Sequence, residues 1–112
     1  MFETDVLDRT LETRRRQRNR ERVALIDRVA RALRVCREKY GVREAFIIGS
    51  LLFSHRWDHE SDIDVAIGGA SMHVLDVMKV VEDAVDRDVD VIDLDLHMSA
   101  DHFRQKGMKI YG

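Results

Sequence analysis

Phe46 to Ile67 reads FIIGSLLFSHRWDHESDIDVAI, and two pieces of it, Ile48-Gly49-Ser50 and Ser61-Asp62-Ile63-Asp64-Val65, decide the fold. A small turn opens after an apolar run, and two carboxylates one residue apart open the next run. On an extended strand, residues i and i+2 share a face about 6.6–7 Å apart. Asp62 and Asp64 therefore face one way, while Ile63 and Val65 face a core. Side-by-side acids repel and are costly to ionise without a counter-charge. A divalent cation is the usual remedy, and oxygen-only ligands favour magnesium or manganese over zinc. The pattern points to phosphoryl-group chemistry.

Asp88-Val89-Asp90-Val91 repeats the same alternation. If its apolar face meets the same core, Asp90 joins the first pair, and three carboxylates can hold two magnesium ions about 4 Å apart. Asp93 and Asp95 have the opposite parity, although a bulge would put Asp93 in the place of Asp90. Gly49-Ser50 supplies the other half of a site. Glycine lets a phosphate approach the backbone, a helix from Leu51 to about Arg56 would offer free N–H groups, and the Ser50 hydroxyl adds a donor.

Outward from this centre, spacing predicts the order αβαβαβα. Residues 1–22 form an Arg-rich helical arm and 23–112 one domain. The helix continues to Gly41 on a stripe of Val23, Ile26, Ala30, Leu33 and Tyr40, with Phe2, Val6, Leu7 and Leu11 as a weaker stripe upstream. RRRQRNRER between the two stripes is an exposed helical stretch or a break. Strands are expected at Ala45–Ile48, Asp62–Ile67 and Asp88–Leu94. A helix capped by Ser71 runs to Asp86 with Val74, Leu75, Met78, Val81 and Val85 inward. Ser99 caps a short last helix, and Met108 to Gly112 carries no clear pattern.

Composition narrows the class. Residues 1–43 carry twelve Arg and one Lys against seven acids, a net of +6, and the remainder carries −8. A basic arm on an acidic body suits a nucleic acid, an acidic partner or a plain solvated helix equally well. No apolar run is long enough for a membrane span. MFETDVLDRT lacks the features of a secretory signal, and the single Cys36 forms no internal disulfide, which together place the chain in the cytoplasm. His55 and His59 fall in a polar loop and do not read as a zinc pair. Trp57 and Phe53 read as the lining of a base-stacking pocket, as core packing or as a partner contact. Met72, Met78, Met98 and Met108, like Cys36, read as packing.

With GS, a spacer, SDID, and Val89-Asp90-Val91-Ile92-Asp93-Leu94 in order, residues 23–96 resemble the nucleotidyltransferase domain of the DNA polymerase beta superfamily. The size resembles its minimal branch, the MntA-like antitoxins. The resemblance implies an α/β (α+β) nucleotidyltransferase fold, a small mixed sheet of three or four strands flanked by helices. It also implies transfer of a nucleoside monophosphate, AMP from ATP, to a protein hydroxyl with two Mg2+ or Mn2+ ions. By matching positions, Gly49 and Ser50 would hold the triphosphate, and Asp62 and Asp64 both metals. Asp90 would complete the catalytic metal site and help deprotonate the acceptor. The implied partner is a helical HEPN-type toxin in a hetero- or homo-oligomer, since so short a fold has half a cleft. Two departures stand out. The spacer Leu51 to Ser61 is one residue longer than usual, and Leu51-Leu52-Phe53-Ser54 replaces the family's small-x-Arg-Gly. They motivate the alternative of an inactive antitoxin or assembly subunit that acts by binding alone.

Overall fold

No proline or glycine interrupts the first 40 residues, which are rich in the strong helix formers Arg, Glu, Leu and Ala. They form one continuous helix, α1 (Phe2–Tyr40). The computed structural model describes residues 2–112, with side chains from residue 5 onward. At 1.5 Å per residue, α1 spans about 58 Å, which accounts for the 59 Å long axis of the molecule. RRRQRNRER is thus an exposed helical stretch and not a break: residues 5–20 all face solvent. The expected boundary after residue 22 falls inside this helix. The i,i+4 pairs Glu12–Arg16 (2.7 Å) and Asp27–Arg31 (2.9 Å) support it. Gly41, at φ +67°, ends it in the left-handed conformation, its N–H bonded to the Arg37 carbonyl at 3.2 Å.

Four strands follow: β1 (Glu44–Ile48), β2 (Ile63–Gly68), β3 (Val89–Asp93) and β4 (Met108–Tyr111). Helix α2 (Val74–Val85) joins β2 to β3, and α3 (Ala100–Lys106) joins β3 to β4. The sheet order is β3-β2-β1-β4, with β1 antiparallel to both neighbours and β2 parallel to β3. A parallel pair needs a crossover, and α2 provides it. The unpatterned C-terminal segment becomes edge strand β4. Its Tyr111 hydroxyl donates to the Leu33 carbonyl of α1 at 2.9 Å, tying the end of the chain to the first helix.

Strand parity divides the sheet into two unlike faces. Ala45, Ile47, Ile63, Val65, Ile67 and Val89 pack against α1 and α2 in the main core. The opposite face buries only Phe46, Ile48, Ala66 and Leu94, under Phe103 of α3. Arg104 fixes α3 to β1 by donating twice to Glu44, at 2.9 and 2.7 Å. The rest of that second face stays open, and the carboxylates lie on it.

Several expected contacts differ. In α1 the buried band is Leu25, Val29, Ala32, Leu33 and Cys36, with Ile26 and Tyr40 beside it. Ala30 is also buried, but Val23 points outward, because α1 meets both the sheet and α2 and so buries a rotated band. In α2, Val77, Val81 and Val85 are buried whereas Leu75 is 76% exposed. The expected Val74, Val81 and Val85 do face the core, and Leu75, one residue off that stripe, lies outside it; a 3-10 turn, Ser71–His73, precedes the helix. Met72 (92% exposed), Met98 and Met108 are on the surface and do not pack. Cys36 is buried as expected, and burial pushes its thiol up to about 11. Val6, Leu7 and Leu11 are exposed on the arm, and the Phe2 side chain lies outside the described residues. No helix among the described residues is long and apolar enough to cross a membrane.

Leu33 packs at the junction of α1 with the sheet, so Leu33→Ala is expected to cost about 2–5 kcal/mol in urea unfolding. Leu75→Ala is expected to change stability by no more than about 0.5 kcal/mol despite its apolar character.

Candidate functional site

The register of three strands builds the site. Ile48, the last residue of β1, lies opposite Asp64 of β2, and Asp64 lies opposite Asp90 of β3. Neighbouring strands are about 4.8 Å apart, so Asp64 and Asp90 stand side by side on one face. Asp62 precedes β2, two residues upstream of Asp64, and its charge reaches Asp64. Of the two rivals for third carboxylate, Asp90 shares the Asp64 face. Asp93 pairs with Ile67, and its Oδ1 accepts the Asp95 N–H at 3.0 Å, closing the end of β3. Asp95 in turn accepts the Gly69 N–H at 2.8 Å.

Gly49 meets this cluster directly. Its φ of +77° is left-handed, and a Cβ built there would lie 2.6 Å from Asp64 Oδ2. Two independent constraints thus require glycine: the turn itself and the approach of Asp64. Ser50 follows in a single 3-10 turn, Gly49–Leu52, closed by the Phe53 N–H on the Ser50 carbonyl at 3.0 Å. This corrects the helix expected over Leu51–Arg56. The chain instead turns again so that Trp57 enters the main core at 3% exposure, stacked under Arg87. Trp57 is therefore a packing residue. Phe53 remains 40% exposed. Any anion at Gly49-Ser50 meets turn N–H groups and not a helix N-terminus.

The electrostatics follow from the register. Asp64 is half-buried, while Asp62 and Asp90 are exposed. Burial raises the Asp64 pKa above the usual carboxylate range. The Asp90 charge, the Asp62 charge and a side-chain hydrogen bond with Asp90 push it further the same way. Every one of these influences raises it; none is a compensating cation. Oxygen-only donors of like charge suit a hard divalent cation such as Mg2+ or Mn2+. Among the described residues, no three acid, imidazole or thiolate groups already meet at metal-ligand spacing. The fold itself fixes the Asp64–Asp90 adjacency and the glycine cradle beside it.

Two supports escaped sequence reasoning. Arg22 of α1 donates to the Leu51 carbonyl at 2.9 Å, pinning the turn after Ser50 across 29 residues of sequence. Nothing in the local pattern of α1 could have signalled it. Asp58 orders the loop before Asp62 by accepting the Glu60 N–H at 2.8 Å, a contact that the Asp-x-Glu-Ser run does permit. That bond, more than any other influence, holds the Asp58 carboxyl below its usual range. His59 lies 3.7 Å from Glu21, and Arg56 sits over Phe53 at 5.4 Å, so neither His59 nor Arg56 joins the carboxylates.

Two solved structures share this fold. One is the toxin–antitoxin MntA–HepT, at 18% identity and TM-score 0.55 over 76% of this chain and 70% of that one. The other is a toxin–antitoxin with AMP-PNP, at 19% identity and TM-score 0.61 over 74% of this chain and 73% of that one. The chain has an MntA-like fold. No family model matches the sequence, and no curated protein matches it. At this identity the MntA-like character is a statement of fold.

The raised Asp64 pKa makes a pH prediction. The folded protein holds that proton more tightly than the unfolded chain, so its contribution is full at low pH and is lost as pH rises through the raised value. Asp64→Asn is therefore expected to raise Tm by roughly 4 °C near pH 7 without divalent cations, with little gain near pH 4. Thermal unfolding followed by circular dichroism across that range checks it. Gly49→Ala is expected to cost about 1–3 kcal/mol, and Gly49→Ala with Asp64→Ala less than the sum, because the clash partner is gone.

Proposed function

We propose that this chain is a metal-dependent nucleotidyltransferase acting as the antitoxin of a toxin–antitoxin pair. It moves AMP from ATP to a hydroxyl of a helical, HEPN-type toxin protein. The observation that carries the reading is the register that sets Asp64 beside Asp90 and next to the Gly49-Ser50 turn. Both structures named above are toxin–antitoxin assemblies, one of them with AMP-PNP, which supports the choice of partner and nucleotide.

In this reading Asp62, Asp64 and Asp90 hold two Mg2+ ions. Bound there, the metal would neutralise triphosphate charge and lower the pKa of the attacking hydroxyl. Gly49 N–H and the Ser50 hydroxyl hold the departing phosphates. Asp90, the more exposed of the adjacent pair, takes the proton of the acceptor hydroxyl. The acceptor oxygen bonds to the α-phosphorus, the α–β phosphoanhydride bond breaks, and pyrophosphate leaves with its electron pair. The site lies on an open sheet face, so the partner protein positions the acceptor.

A binding-only antitoxin is the second reading. The single 3-10 turn after Ser50 favours it, because it lacks the longer helix start that would present more N–H groups to a triphosphate. Intact mass of the helical partner, after incubation with the chain, magnesium and each nucleoside triphosphate, separates the two. The transferase predicts a gain of one nucleoside monophosphate that Asp62→Ala/Asp64→Ala abolishes. A stable complex with no gain from any nucleotide leaves binding alone.

A further inference from the structure

Between the arm and the loop after Ser50 lies a cleft of about 540 Å³ that the carboxylate site does not use. Arg15, Arg16, Arg18 and Asn19 of α1 form one wall, and Ser54 and His55 the other. No carboxylate lines it. Arg16 is paired with Glu12, whereas Arg15 and Arg18 have no ion-pair partner among the described residues. A second groove, of about 190 Å³, continues from Arg18 past Arg14 to His59, and its one acid, Glu21, faces the His59 imidazole at 3.7 Å. The guanidinium groups thus form a basic track along the arm, with hydroxyl, amide and imidazole groups opposite.

Beside that track stands an exposed aromatic. Phe53 adjoins the Ser54-His55 wall, with the Arg56 guanidinium 5.4 Å from its ring centroid and the His55 ring at 6.0 Å. A basic groove that follows a phosphate backbone, with an exposed aromatic to take a base, is the arrangement that binds single strands. An acidic peptide would use the arginines but leave Phe53 idle. A duplex would present no free base face to it.

The geometry points to a second binding site on this chain, for a single-stranded nucleic acid whose phosphates lie along Arg15 and Arg18 and whose base stacks on Phe53. It is separate from the carboxylate face and independent of the transfer reading. The loop that walls it, Leu52 to Ser61, also joins the Gly49-Ser50 turn to Asp62 in sequence.

Fluorescence anisotropy of labelled RNA, DNA and duplex oligonucleotides of about 12 units, with the full chain at about 50 and 200 mM salt, tests this. Single strands should bind, with a log–log salt slope of about −2 to −3 for three or four neutralised phosphates. Arg15→Glu/Arg18→Glu should weaken binding at least roughly 30-fold and flatten the slope. Phe53→Ala should weaken it roughly tenfold with the slope unchanged. All three residues are exposed, and circular dichroism verifies that the variants keep their helix. A preference for RNA or for DNA names the source of the strand, and either supports the site. Absence of binding at low salt, indifference to both variants, or equal affinity for duplex without a Phe53 effect would overturn it. Polyglutamate bound as tightly as the strands would overturn it in favour of an acidic protein segment.

Discussion

Everything in this molecule depends on the parallel pairing of β2 with β3, which sets Asp64 against Asp90. Left alone, that contact is unfavourable. Two unit charges about 5 Å apart repel by about 3 kcal/mol at an effective dielectric constant near 20, and by less where water screens them. The same residues that create the repulsion carry its remedy on their other side. Ile63, Val65 and Val89 alternate with the acids and are buried in the main core, each contributing about 1.5–3 kcal/mol. The alternation binds the two effects together, since a strand cannot bury the valines without exposing the aspartates on the opposite face. A one-residue slip would invert both sets at once.

The asymmetry of the sheet follows from the same division. Helices α1 and α2 occupy the apolar face, while α3 covers only the half of the other face where Phe46, Ile48, Ala66 and Leu94 lie. The remainder stays open beside a glycine turn at which a side chain would be strained. An open face with partly destabilised acids is a poor structural device. The divalent cation and nucleotide proposed above would supply the counter-charge that such a face lacks.

Much of this was legible in the chain itself. Asp62-Ile63-Asp64-Val65 and Asp88-Val89-Asp90-Val91 announce their faces because strand parity is strict, and Gly49-Ser50 announces a turn. Asp90 and not Asp93 shares the Asp64 face because β3 pairs with β2 in unbroken register from Ile63 to Ile67. What failed depended on contacts remote in sequence. The segment after Ser50 makes one 3-10 turn because Trp57 is drawn into the core and Arg22 holds the Leu51 carbonyl, and no local pattern encodes either. Leu75 stayed outside because the inward stripe of α2 runs through Val74, Val77, Val81 and Val85, and an adjacent position points about 100° away from it. β4 could not be read because an edge strand of four residues owes its existence to β1 and to the Tyr111–Leu33 bond.

The central claim is that Asp64 and Asp90 form one repelling, cation-seeking unit. Carboxyl-carbon NMR titration of the intact chain, with and without magnesium, measures it directly. Asp64 should titrate above the usual carboxylate range without metal, and saturating magnesium should bring its titration to markedly lower pH. An Asp64 that titrates as an ordinary surface acid and ignores magnesium would contradict the account at its root.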